Sequence, residues 1–140
     1  MGSRIIPTLR YQDANRAIEF LQEAFGLEAH QVYRNEDGVV EHAELIYLGG
    51  MVMLGSHQPT AFGDLLTTAA LAGKPTSSIY VVVEDVKAHA KQAEAAGARI
   101  LLPVTAQDYG GSDYTCSDPE GNIWSFGDYD PWAATPDNPA

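Results

Sequence analysis

Apolar residues recur along this chain in two rhythms, and the switches between them mark out the elements. Ala17, Ile18, Phe20, Leu21, Ala24 and Phe25 fall at helical spacing and give one segment an apolar stripe. Asp13 precedes that stripe as an N-cap, its carboxylate placed to accept from the free amides of the first turn, and Gly26 ends it. Ahead of the helix, Arg4 to Tyr11 reads as a strand, with Pro7 marking an edge or a bulge. Behind it, residues 28 to 34 read as a second strand and Asn35-Glu36-Asp37-Gly38 as a turn. Val39 to Leu48 and Met51 to His57 follow as third and fourth strands. Gly49-Gly50 between them predicts a two-residue loop with positive φ.

The same order then returns. Residues 58 to 76 carry no strand pattern, and a stretch of that length predicts a short helix around Leu65 to Leu71. Ser78 to Val83 is a strand, Asp85 an N-cap, Val86 to Ala96 an alanine-rich helix and Gly97 its stop. Ile100-Leu101-Leu102 is a short strand, followed by a Gly110-Gly111 loop. Asp113 to Cys116 and Ile123 to Phe126 alternate as two strands around the turn Asp118-Pro119-Glu120-Gly121-Asn122. The order βαβββ, linker, βαβββ is an internal duplication. It predicts one α+β domain over 1–140. The first module spans 4–57, the linker 58–76, the second module 77–129 and a tail 130–140. In that tail Trp132 is either a docking anchor or part of a pocket wall, and the chain past Ala133 is expected to be disordered.

Composition narrows the function classes. A chain of 140 residues buries roughly two-thirds of its unfolded surface, so it needs no disulfide or metal to fold. Its one cysteine, Cys116, reads as a small core residue and fits a reducing compartment. With no apolar run of ~20 residues and no signal-peptide core, a cytoplasmic protein without membrane contact is expected. The net charge of -11 argues against nucleic acid and leaves either solubility or attraction of a cationic small molecule.

Three stretches resemble the vicinal oxygen chelate superfamily of glyoxalases, extradiol dioxygenases and bleomycin-resistance proteins. They are Asp13 to Leu21 leading to Phe25-Gly26-Leu27, Val83 to Val86 leading to Ala96-Gly97-Ala98, and the Asp118 to Asn122 turn ahead of Trp124 and Phe126. The resemblance runs from Ile5 to Tyr129 and is strongest to the bleomycin-resistance-like branch. It implies that each module curls into half a cup and that a homodimer completes two cups. Enzymes of the superfamily hold a divalent metal with four side chains, mostly His and Glu, on the first and last strands of both modules. Aligned by strand–helix junctions, those positions carry Ile6 or Pro7, Glu44, Ser78 and Ser125 here. Only Glu44 among them ligates well, so the resemblance implies that the metal site is lost.

Strand parity supplies a candidate site of its own. If Leu48 pairs with Met51, counting outward sets His42 opposite His57, with Glu44 on their face. His42, Glu44 and His57 are then an alternative ligand set for zinc, nickel, manganese or iron, against the plainer reading that the histidines are polar strand ends. The same counting puts Ile46, Leu48, Met51 and Met53 on that face, with Ser78, Tyr80 and Val82, and with Tyr114, Cys116, Ile123 and Ser125, lining the second module. Trp124 and Phe126 point to the helices, and His89 to solvent. The expected ligand-binding set is His42, Glu44, Met53, His57, Ser78, Tyr80, Tyr114 and Ser125. It makes an apolar pocket whose buried carboxylate wants a cationic or hydrogen-donating partner, or a proton of its own. The function this favours is metal-independent binding of an apolar, cationic compound. The alternative is a glyoxalase-like lyase or isomerase, or an extradiol-type dioxygenase, with a divalent metal. Catalysis without metal would make Glu44 a general base.

Overall fold

Two sheets of four strands each cover one face with a helix, and the two helices pack on one another. The computed structural model describes residues 2–133, so the disorder expected past Ala133 lies outside the described residues. The first module runs β1 (Thr8–Tyr11), α1 (Ala14–Phe25), β2 (Glu28–Arg34), β3 (Val40–Tyr47) and β4 (Gly50–Ser56). A linker with a 3-10 turn (Gly63–Leu65) and a short helix α2 (Ala69–Ala72) leads to the second. That module runs β5 (Ser78–Val82), α3 (Val86–Ala95), β6 (Arg99–Ala106), β7 (Ser112–Ser117) and β8 (Ile123–Gly127). The strand orders β1-β4-β3-β2 and β5-β8-β7-β6 are the same arrangement twice, with the first and last strand of each module parallel and the rest antiparallel. No helix among the described residues is long and apolar enough to cross a membrane.

Both caps form where the sequence puts them. Asp13 accepts from the Arg16 amide at 3.1 Å and Asp85 from the Ala88 amide at 3.0 Å. The stripe of α1 is buried against its sheet, and Phe25 ends it with ring centroids 4.6 Å from Phe126 and 5.1 Å from Trp124. The linker departs from the expected single helix. Thr68 is extended (φ -107°, ψ 157°) and uses its hydroxyl to accept from the Leu71 amide, so the β-branched Thr67-Thr68 pair divides the segment into two short turns.

The turn after β7 ties the second module to the first. Asp118 is buried, and its Oδ2 accepts from the Tyr11 hydroxyl at 2.6 Å and from Trp124 Nε1 at 3.2 Å. Its Oδ1 accepts from the amides of Glu120 and Asn122, both at 3.0 Å. The Glu120 carboxylate in turn accepts from the amides of Gln12 and Asp13 at 2.7 and 2.8 Å, just ahead of α1. Burial, reinforced by Asp118, pushes the Tyr11 hydroxyl well above its ordinary pKa, so it stays a donor.

His89 corrects the expectation that it faces solvent. Its ring packs tilted on Phe126 with centroids 4.3 Å apart, its Nε2 donates to the Phe25 carbonyl at 3.0 Å, and its Nδ1 accepts from the Tyr114 hydroxyl at 2.5 Å. The flank of α3 that reads as outward on an isolated helix is covered here by α1, whose Glu23 carbonyl also takes a bond from Gln92 at 2.9 Å.

Candidate ligand-binding site

Each sheet has a face away from its helix, here called the free face. On the first module the strand register sets Glu44 beside Met53 and Met53 beside Thr8, so one row crosses β3, β4 and β1. Ile46 and Met51 pair in the row on one side. On the other, Tyr33 pairs with His42 and Arg10 with Gly55. Ala43 and Leu45 on β3, and Val52 and Leu54 on β4, take the buried face, as period-two alternation requires. His42 and Glu44 meet, Nε2 to Oε2, at 2.9 Å, with the Tyr33 ring stacked 6.0 Å from the imidazole.

His57 does not join them. The hairpin turns on Leu48-Gly49, so Tyr47 pairs with Gly50 and the count outward from Ala43–Leu54 brings His42 to Gly55 instead. This register differs by two residues from the expected one, and a slide of two leaves every side chain on its own face. Apolar patterning is therefore blind to it. The positive φ falls on Leu48 (+50°) and on neither glycine of the pair. Leu48 carries the strain of a left-handed residue with a Cβ, 81% exposed. His57 lies past the end of β4, its amide donating to the Tyr11 carbonyl at 2.9 Å and its Nδ1 buried without a partner.

On the second module, Ser78 pairs with Ile123, and Tyr80 with Ser125, which pairs with Thr115. Thr115 Oγ1 and Ser125 Oγ stand 2.7 Å apart. Tyr80 donates to the Tyr129 carbonyl at 2.7 Å, and burial, with Tyr109 and Asp113 nearby, pushes its hydroxyl up to about 12. Tyr114 and Cys116 are not on this face. They pair with Phe126 and Trp124, turn toward the helices and are fully buried. Ser117 opposite Ile123 sets a register one residue from the expected one, and a slip of one exchanges the faces, which puts Thr115 where Tyr114 was expected. Burial, then Asp118, pushes the Cys116 thiol up to about 12, so it is a core thiol and no nucleophile.

By the resemblance, enzymes of the superfamily hold their metal on the first and last strands of the two modules. On the first and last strands the free faces carry Thr8 beside Met53 and Arg10 beside Gly55 in the first module, and Ser78 beside Ile123 and Tyr80 beside Ser125 in the second, while Ile6 and Pro7 lie ahead of β1. Glu44 belongs to the neighbouring strand β3, one strand away from the place the sequence alignment gave it. Hydroxyls, a thioether, an aliphatic side chain and a guanidinium do not fit a divalent ion, and no three His, Cys, Asp or Glu side chains converge among the described residues.

A cleft of about 730 Å³ opens between the two sheets, lined by Leu45, Tyr47 and Val52 and by Ile79, Val81 and Trp124, with Met51 and Tyr80 of the free faces also on its wall. Trp132 also lines it and is 95% exposed. Leu48, Met51, Tyr80 and Val82, expected on the pocket face, also line it, whereas sequence reasoning missed Leu45, Val52 and Trp124 because they belong to the buried halves of the strand patterns. It also passed over Thr8, Arg10 and Tyr33, whose place on the free face follows only from cross-strand pairing.

A family model described as the glyoxalase/bleomycin resistance protein/dioxygenase superfamily matches residues 5–126. An uncharacterized protein of Mycobacterium bovis is 34% identical over 122 residues, covering 86% of this chain and 80% of its own. The crystal structure of TioX from Micromonospora sp. ML1 superposes with a TM-score of 0.70 at 30% identity, covering 89% of this chain and 94% of TioX. FosX, a fosfomycin resistance protein of Listeria monocytogenes, shares the fold with a TM-score of 0.63 at 14% identity, covering 91% of this chain and 93% of its own.

Proposed function

This chain belongs to the glyoxalase/bleomycin resistance protein/dioxygenase superfamily, and from that premise we propose that it binds a small organic molecule without a metal, in the manner of the bleomycin-resistance branch. The observation that carries the reading is the set Thr8, Met53, Tyr80 and Ser125 on the first and last strands of the two modules. Hydroxyls and a thioether there suit an apolar ligand that needs orientation more than Lewis-acid chemistry. Met51, Met53 and Ile46 give an adaptable apolar wall, and Glu44 with the net charge of -11 favours a ligand carrying a basic group.

The reading includes a second copy of the chain. Within one chain the modules meet through α1 and α3, and each free face turns away from that layer. A cup therefore needs the first module of one copy against the second module of another. Ile5 (87% exposed), Leu48 and Trp132 are apolar side chains around the cleft that such a partner would cover.

The competing reading is a metal-dependent lyase, isomerase or dioxygenase, and the His42–Glu44 contact is what favours it. Metal analysis by mass spectrometry after incubation with zinc, nickel, manganese and iron separates the two. We expect no stoichiometric ion to survive dialysis. An ion that is retained, and is lost in Glu44→Ala, would overturn the binding-protein reading.

A further inference from the structure

Arg10 carries a charge that no acidic side chain among the described residues pairs with. It sits on β1 opposite Gly55, and its Nη1 stands 3.3 Å from where a Cβ on Gly55 would be, so the guanidinium lies over that glycine on the free face. A Cβ on Gly55 would also stand 2.7 Å from the Glu41 carbonyl oxygen, so the close packing of β3 on β4 beneath the guanidinium requires glycine there. The Phe62 ring from the linker covers the guanidinium at 5.6 Å. Arg10 Nε is buried with no hydrogen-bond partner, and so is Nδ1 of His57, two residues past Gly55. The chain has 19 acidic residues against 8 Lys and Arg, yet among the described residues the one side-chain ion pair is His42–Glu44. A guanidinium keeps its charge at any working pH, and a buried N–H without an acceptor is costly. Its planar fork matches a carboxylate, which can accept two parallel bonds from it.

We propose that Arg10 and His57 form the anchor for an acidic group, a carboxylate, on the ligand whose apolar body lies over Met53 and Met51. This deepens the small-molecule reading above and rests on it. Arg10 lies two residues along β1 from Thr8, about 7 Å from the row that holds Glu44. A ligand that also carries the basic group favoured by Glu44 is then amphoteric, with its two charged ends on different rows of one face. Gly55 and Phe62 are positioning residues for the guanidinium.

The test is calorimetric titration of the full chain with three matched probes: a naphthalene carboxylate, its primary amide, and naphthylmethylammonium. The carboxylate should bind the unmodified protein about tenfold or more tighter than the amide. That preference should vanish in Arg10→Met while the amide and the ammonium bind as before. Arg10→Lys should keep part of it. Far-UV circular dichroism confirms that each variant is folded, and Arg10→Gln, which removes the charge and keeps a polar side chain, carries the test if Arg10→Met is not. Equal affinity for carboxylate and amide, or a preference that survives Arg10→Met, overturns the anchor and leaves the small-molecule reading in place. If none of the three probes binds, that reading falls and the anchor falls with it.

Discussion

Replacing Asp118 by Ala should be among the most damaging single changes in this protein, although the residue lies outside the candidate site. The side chain is 4% exposed and accepts four hydrogen bonds, two of them from the hydroxyl of Tyr11 and the indole of Trp124. Both donor residues are fully buried, so water cannot take the place of the carboxylate. Each stranded donor costs about 1–3 kcal/mol, giving about 2–6 kcal/mol for the pair before the two turn amides are counted. Against a total stability of about 5–15 kcal/mol, a loss near 4 kcal/mol is severe. With a urea slope of about 2 kcal/mol/M it appears as a midpoint lowered by about 2 M at unchanged slope. Asp118→Asn is the sharper variant. Its amide nitrogen would face the Trp124 N–H, and an indole, unlike the Tyr11 hydroxyl, cannot turn round to accept. Urea unfolding followed by circular dichroism checks both variants. A midpoint within about 0.5 M of the unmodified protein for Asp118→Ala would refute the idea that this carboxylate joins the modules.

Two further outcomes follow from buried titratable groups. Burial holds His89 below its ordinary pKa of 6.5, against the upward pull of the Phe25 carbonyl, so the folded state binds its proton less readily than the unfolded chain does. Stability from His89 is therefore complete above pH 6.5 and is lost as pH falls from there through the lowered folded value. Urea midpoints between pH 7.5 and pH 5 should fall in the unmodified protein and fall less in His89→Gln (about neutral to mildly acidic buffers, ahead of bulk carboxylate titration). Cys116, at about 12, should resist iodoacetamide in the native state and react at a rate set by unfolding. Labelling as fast as that of a free thiol would contradict its burial.

What the sequence disclosed and what it withheld divide along the range of the interactions involved. The caps at Asp13 and Asp85, the stripe of α1 and the returning βαβββ order are local patterns, and a helix period or a cap needs no partner from elsewhere in the chain. Register is different. The slide of two that took His57 away from His42 left the faces unchanged, and the slip of one that turned Tyr114 inward was decided by bonds around Asp118 in the turn. His89 reads as exposed because α1, which covers it, lies more than 60 positions earlier in the chain. Arg10 is the clearest case. Its neighbours Gly55 and Phe62 come from a parallel strand and a linker, and no spacing in the sequence connects the three.

The contact between Tyr11 and Asp118 spans 107 positions, and this has a consequence for biosynthesis. At about 5–20 residues per second, the ribosome takes roughly 5–20 s to deliver Asp118 and Glu120 after Tyr11 has been made. Through that interval the amides ahead of α1 lack the carboxylate that finally holds them, and the Tyr11 hydroxyl has no acceptor. The first module must wait in an incomplete form. Its folding is completed by the last hairpin synthesised, so a chain stalled or truncated before residue 118 leaves the buried Tyr11 hydroxyl and the Gln12 and Asp13 amides without their acceptors.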